Sequence, residues 1–317
     1  MRLLVMGAGA MGSVVGGFMA KAEHDMTMIG IDPHMQTVRD KGLRISGIWG
    51  EHHIADLDAR TGLDGLHRDE FDMIFITVKS YDTATAVGLI EPLVGDDTLV
   101  CSYQNGLGNA EAIAKAVGWH RTVGARVIFG VMMPEPGHVK VTVIASPTAL
   151  GVYEASAPSE RVRKIAEAMD AAGIPTVYTD KIATLLWQKV AYNSALNPLS
   201  AILDVPYGIL AETQHARMII NGIVKELYDV GNAMGIELEP ETAGAYLELL
   251  FDKLIPPTAA HYASMREDFV NARRTEIDAL NGAVCRYGEQ HGVACPTNLL
   301  LTRLVHAREH ALGVKGM

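Results

Sequence analysis

Residues 2–12 read RLLVMGAGAMG, a short apolar run that passes directly into a glycine-rich turn. Gly7, Ala8, Gly9, Ala10, Met11 and Gly12 fit G-x-G-x-x-G, placed after a strand-like segment and at the start of a helix-like one. That context gives the pattern its meaning. The first glycine permits a tight turn and the second lets backbone approach a pyrophosphate. The third lets the helix pack closely on its strand, with the helix N-terminus facing the anion. The bland alternative is a glycine-rich turn that binds nothing.

Outward from this loop, strand-like runs at 26–31, 72–78 and 98–102 alternate with Gly- and Ala-rich helical patterns, the signature of a parallel sheet covered on both faces. Beyond Thr122, RVIFGVMM and HVKVTVIA flank PEPG and read as two antiparallel strands around a turn. Residues 159–172 have the period of an amphipathic helix, 174–179 read as a last strand, and everything from Asp180 onward is helical in period. The expected fold is therefore α/β: a Rossmann-type dinucleotide-binding domain over 1–180, then an all-helical substrate and catalytic domain over 181–317. A chain of 317 residues exceeds what one core usually organises, which agrees with two domains.

Composition narrows the class. Apolar residues make up 49% and charged residues 20%, which is globular, and the net charge of −10 disfavours nucleic acid or an anionic membrane surface as partner. Cys101, Cys285 and Cys295 form no CxxC and leave one unpaired in any disulfide scheme, so a reducing compartment is expected. The N-terminal apolar run is too short for a signal peptide and no stretch is long enough to span a bilayer. A cytoplasmic protein with no membrane or nucleic-acid partner is the expectation, its assembly open and a homodimer included.

Two segments carry chemistry. In the first, 180–203, Lys189, Asn193 and Asn197 are spaced by four and share one face of a helix whose other positions are mostly apolar. Burial would lower the lysine's pKa, which suits a proton donor to an alkoxide formed as hydride reaches a carbonyl. The competing reading is a solvated stripe with a snorkelling lysine. The second segment, SMREDFVNARRTEIDALNG at 264–282, supplies Ser264, Arg273, Arg274 and Glu276. Glu276 would provide a counter-charge, border a core or pair with an arginine, and Ser264 with Glu267 also makes a capping box.

Asp32 follows the second strand twenty residues after Gly12, where an acid meets the adenosine ribose in NAD-preferring folds. It is equally placed as an N-cap before Pro33 and the helical HMQTVRDKG. His306 and His310 lie one helical turn apart, but no third ligand is visible and HAREHAL reads as a charged surface face, so no metal is expected. His52 and His53 read as loop residues.

GAGAMG, VKSYDT around Lys79, QNGLGN around Asn105, LLWQKVAYNSALNPLSAIL around Lys189 and SMREDFVNARRTEIDALNG around Glu276 occur in an order that resembles the ketopantoate reductase (2-dehydropantoate 2-reductase) family. The resemblance implies hydride transfer from NAD(P)H to C2 of a 2-keto acid, 2-dehydropantoate going to pantoate. It also implies Lys189 as general acid, Glu276 orienting lysine and substrate, Asn193, Asn197 and Ser264 binding substrate, and Lys79 and Asn105 lining the cofactor. Asn105 would also lie beside the substrate. The chain departs from the family habit at Ile31-Asp32, where many relatives carry an arginine for the 2′-phosphate of NADPH. It departs again at His261-Tyr262-Ala263, where an asparagine and small polar residues are expected. The resemblance points to NADPH and Asp32 to NADH, with Lys79, His34 or Arg39 as cations that could offset the aspartate. Alternatives are the 3-hydroxyisobutyrate and 6-phosphogluconate dehydrogenase group, whose glycine-rich run before the lysine is replaced here by DKIATLLWQ, and a dinucleotide-sensing module without turnover.

Overall fold

The computed structural model describes residues 1–314. The chain divides into two compact units, 1–105 with 109–182, and 106–108 with everything from Ala183 onward. The last three residues of the expected helical domain lie outside the described residues.

In the first unit, the run at the start of the chain forms β1 (Arg2–Met6), followed by α1 (Ala10–Lys21), β2 (Asp25–Ile29) and α2 (His34–Lys41). Next come β3 (Leu43–Gly47), β4 (His52–Ile54), β5 (Asp58–Arg60), β6 (Met73–Ile76), α3 (Thr83–Ile90), β7 (Leu99–Ser102), α4 (Asn109–Val117) and β8 (Thr122–Arg126). The unit closes with β9 (Phe129–Glu135), β10 (His138–Ile144), β11 (Thr148–Val152), α5 (Ser159–Ala172) and β12 (Thr176–Tyr178).

Eight strands form the main sheet in the order β12-β11-β8-β7-β6-β1-β2-β5. β1 pairs in parallel with both β2 and β6, so the chain changes direction across the sheet at β1 and β6. Alternation explains why β1 is apolar from Leu3 to Met6: Leu3 and Val5 join the cluster on one face, Leu4 and Met6 the cluster on the other.

The strands around PEPG do pair antiparallel, but they do not finish the main sheet. β9 and β10 join β3 and β4 in a separate four-stranded sheet ordered β4-β3-β10-β9. His52 and His53 thus lie in β4, opposite Ile45 and Arg44, which corrects the loop expectation. The cause is tertiary: His52 meets the edge of Phe18 on α1 with ring centroids 5.1 Å apart.

Helix α1 lies between the two sheets. A Cβ at Gly16 would meet Met28 Sδ at 2.5 Å, and one at Gly17 would meet Ile45 Cδ1 at 2.7 Å. Buried from Gly12 to Met19, the helix can be apolar on every side. A buried relay ties it to the second sheet. Gly137 N–H donates to Nδ1 of His34 at 2.8 Å, Nε2 of His34 meets Ser13 Oγ at 2.8 Å, and Ser13 Oγ reaches the Ala8 carbonyl at 3.5 Å. Since Nδ1 accepts, the ring is the neutral Nε2–H tautomer.

In the second unit α6 (Ile182–Leu203) begins at the boundary and is followed by α7 (Tyr207–Glu212), α8 (Gln214–Ala233), α9 (Ala243–Leu249), α10 (Ser264–Val270), α11 (Asn281–His291) and α12 (Pro296–Ala311). Pro198 sits inside α6 and has no N–H for the carbonyl of Ser194 four residues back. Asn281 Nδ2 donates to that carbonyl at 3.2 Å and also to Asn298 Oδ1 at 3.0 Å. Asn298 in turn donates to Glu226, whose carboxylate accepts the N–H groups of Thr297 and Asn298 at the start of α12. Residues 106–108 belong to this unit because Leu107 N–H donates to the Ala279 carbonyl at 2.8 Å and Leu107 packs against the helical core.

Burial holds the pKa of His34 below 6.5, so the relay's contribution to stability is intact above 6.5 and is lost as pH falls through the depressed value. Replacing His34 with Leu strands the Gly137 N–H and is expected to cost about 1–3 kcal/mol near neutrality. In urea unfolding, the gap between wild type and variant should narrow as pH drops below 6.5; a constant gap would refute the relay.

Candidate active site

Because β1, β2, β6 and β7 run parallel, the segments after Met6, Ile29, Ile76 and Ser102 all emerge at one edge of the sheet. In doubly wound sheets this edge, at the strands where the order reverses, is where ligands lie. Gly7 takes φ +104°, and a Cβ there would meet Val78 N at 2.7 Å. Gly12 is closed off by Thr77 Oγ1 at 2.6 Å and Val5 Cγ1 at 2.7 Å, so α1 lies directly on its strand. At Gly9 the nearest atom is Gly7 O at 3.9 Å, leaving open space over the first turn of α1. Gly7 and Ala8 donate to the Ile29 carbonyl and fix the loop, which presents Ala10, Met11 and Gly12 at the N-terminus of a twelve-residue helix. These residues fit the diphosphate of a dinucleotide.

Asp32 lies just ahead of α2, whose first residue is His34 with Pro33 at the cap position. Its Oδ1 accepts from Gln36 N–H at 2.8 Å and from Arg39 at 3.2 Å. The carboxylate is thus a helix cap in function, one residue further out than the simple N-cap arrangement. Arg39 reaches the Ala59 carbonyl and Gln36 as well, and Ile31 is 81% exposed. Both nitrogens of His34 are spent in the buried relay, so His34 offers no cation to a phosphate.

Gln104 escaped the sequence reading. Its Nε2 donates to the Val78 carbonyl at 2.9 Å and to Thr83 Oγ1 at 2.7 Å, while Thr83 donates to Asn109 Oδ1. Asn109 Nδ2 closes the circuit on the Asn105 carbonyl at 2.9 Å. Gln104 therefore stitches the Val78-Lys79 and Asn105 segments together, and the signal for it was a polar residue placed at a strand end beside glycines. Lys79 stands at the cap of the turn over Ser80–Asp82.

In the helical unit, Lys189, Asn193 and Asn197 lie along α6, Lys189 and Asn193 half-buried and Asn197 buried. Asn197 Oδ1 accepts from the Tyr207 hydroxyl at 2.5 Å, which orients the amide nitrogen of Asn197 as a donor. The Tyr207 ring meets Tyr192 and His261 edge-on, with centroids 5.9 and 5.2 Å away. Burial, with the neighbouring Tyr192 adding to it, pushes the Tyr207 hydroxyl well above the usual tyrosine range, which keeps it a donor.

Two expectations are corrected here. Ser264 opens α10 with Ala263 at the cap position and makes no cap bond, so the capping box with Glu267 does not form. HAREHAL is not simply a charged surface face: Glu309 is fully buried, and His306 lies between it and Asp278. Glu276 stands half-buried at the cap of the turn over Ile277–Ala279.

The family description "Ketopantoate reductase PanE/ApbA" matches residues 3–155, and its C-terminal counterpart matches residues 181–309. A 2-dehydropantoate 2-reductase of Aquifex aeolicus is 37% identical over 309 residues, covering 98% of this chain and 97% of the relative. One from Pyrococcus horikoshii is 34% identical over 309 residues, covering 98% of both. Among solved structures, a PanE/ApbA family ketopantoate reductase from Ralstonia eutropha JMP134 superimposes with TM-score 0.87 at 28% identity, covering 99% of this chain and 100% of that one. A ternary structure of D-mandelate dehydrogenase with NADH and anilino(oxo)acetate does so with TM-score 0.84 at 29% identity, covering 99% and 100%. With matches of this extent running through both halves, the chain belongs to the ketopantoate reductase PanE/ApbA family.

Proposed function

We propose that this chain reduces the keto group of a 2-keto acid with NAD(P)H, 2-dehydropantoate to pantoate being the first reaction to test. The single observation that carries the reading is the Lys189–Asn193–Asn197 face of α6 in a chain of this family. A bound NAD(P)H would supply the hydride that reaches C2. Lys189 Nζ gives a proton to the ketone oxygen as the new C–H bond forms, so that hydride plus proton yields the hydroxyl. Asn197, its carbonyl held by Tyr207, donates its amide N–H to substrate oxygen. Asn193 and Ser264 contribute further hydrogen bonds, and Glu276 orients both lysine and substrate. The Gly7–Gly12 loop would hold the diphosphate, with Lys79 and Asn105 following strands β6 and β7 at the same sheet edge.

Replacing Lys189 with Ala should lower kcat by about 10²-fold or more while NAD(P)H affinity holds, measured by steady-state kinetics and cofactor fluorescence titration. Near-normal kcat overturns the lysine's role.

NADH is proposed to serve at least as well as NADPH. Asp32 directs Oδ1 to Gln36 and Arg39, leaving Oδ2 for ribose hydroxyls, and Ile31 brings no charge for a 2′-phosphate. Arg39 beside the carboxylate softens its repulsion and keeps NADPH usable. The measurement is kcat/KM with each cofactor in the wild type and in Asp32→Ala. A strong wild-type preference for NADPH that survives the substitution reduces Asp32 to a helix cap.

A second substrate class has its own support. Tyr192, Tyr207 and His261 form an aromatic cluster beside Asn197, which favours a 2-keto acid bearing an aryl group. Equal amounts of 2-dehydropantoate and an aryl 2-keto acid compared by kcat/KM distinguish the two readings.

A further inference from the structure

We propose that His306 is a positioning residue for Glu276: its imidazole, gripped between the carboxylates of Asp278 and Glu309, fixes the turn from which Glu276 projects. The inference rests on the reading of Glu276 as a substrate-site residue.

The geometry surrounds Glu276 on both sides. His306 Nε2 lies 2.9 Å from Asp278 Oδ1, and His306 Nδ1 lies 2.8 Å from Glu309 Oε2. The other oxygen of Glu309 accepts the Thr275 N–H at 2.7 Å. Thus α12 holds the residue just before Glu276 through Glu309 and the residue two beyond it through His306. Ionised carboxylates only accept, so two N–H donors on the ring satisfy both contacts, which makes the ring an imidazolium. A fully buried Glu309 carboxylate needs such a cation. Two cations act on the turn itself: Arg274 donates to Asp278 Oδ2 at 3.2 Å, and Arg286 of α11 donates to the Asp278 carbonyl at 2.7 Å. From α8, Glu226 spends its carboxylate at the far end of α12, on Thr297 and Asn298.

Burial opposes the charge on His306, but hydrogen bonds to Glu309 and Asp278 outweigh it and hold the pKa above 6.5. The clamp is therefore whole below 6.5 and is lost as pH rises through the raised value. Once the ring loses a proton, one nitrogen becomes an acceptor facing a carboxylate, and one grip fails.

The test uses His306→Gln and His306→Lys with three readouts: kcat and KM for the keto acid from neutral to alkaline pH, NAD(P)H affinity, and amide exchange over 275–279. His306→Gln should lower kcat/KM by about tenfold to a hundredfold, the scale of a slightly misplaced group, with NAD(P)H affinity unchanged. It should also remove the alkaline fall set by His306 and speed exchange at Thr275, whereas His306→Lys, which keeps a cation, recovers part of the activity. In the wild type the Thr275 amide resonance should titrate with the His306 ring, which requires no variant to fold. Unchanged exchange at 275–279, or a loss of activity that follows the melting temperature alone and keeps the wild-type pH profile, overturns the clamp. A wild type that reduces no 2-keto acid refutes the role of Glu276, while the exchange and titration readouts still judge the clamp.

Discussion

The carbonyl of Ser194 has lost its helical partner to Pro198, and much of the second unit is arranged around the group that replaces it. A proline in a helix interior removes one hydrogen bond and leaves an acceptor that is costly to bury unpaired. Asn281 meets that acceptor, then Asn298, and Asn298 meets Glu226. One missing N–H on α6 is thereby converted into a polar chain through α11 and α12 to α8. The same α6 carries Lys189, Asn193 and Asn197, and Asn281 follows directly on the turn bearing Glu276. A buried polar chain of this kind specifies one packing of the helices, because any slip leaves several members unpaired at once.

The first unit solves a different problem: how to bury one helix on all sides while leaving its N-terminus open. Glycines do both. At Gly12, Gly16 and Gly17 the missing side chain brings sheet atoms within 2.5–2.8 Å of where a Cβ would stand, whereas at Gly9 it leaves space. Close packing anchors α1, and the vacancy gives a ligand access to its first turn. The His34 relay adds a polar tie from the second sheet to the carbonyl of Ala8.

What could be read in advance follows from how local each cause is. The β1 run, the Gly7–Gly12 turn and α5 carry their period and their turn residues within themselves, and α6 showed its shared Lys-Asn face despite an internal proline. The second sheet was only half legible, because β3 and β4 find their place through β10, and contacts such as Ser46 to His138 join positions 92 residues apart. Glu309 resembled a surface charge since its partners, Thr275 and His306, lie partly on a distant turn. Ser264 followed the capping pattern, yet the chain enters α10 one residue earlier, through Ala263, whose N–H is held by Ser200 Oγ. The family resemblance points to Glu276, and only the fold brings its neighbours Thr275 and Asp278 against Glu309 and His306 of α12.

Residues 106–108 leave the first unit and return to it within three positions, yet they pack with the second. Leu107 supplies an N–H to Ala279 and a side chain to the helical core, and a Cβ at Gly106 would strike Ala279 at 2.5 Å. A cut at residue 182 therefore does not divide the chain along the boundary of its two units. A fragment starting at Ala183 would lack a piece of its own interior, and the carbonyl beside the Glu276 turn would lose its donor. Recombination between relatives would conserve function best where it exchanges 106–108 together with the helical half, as one inherited block.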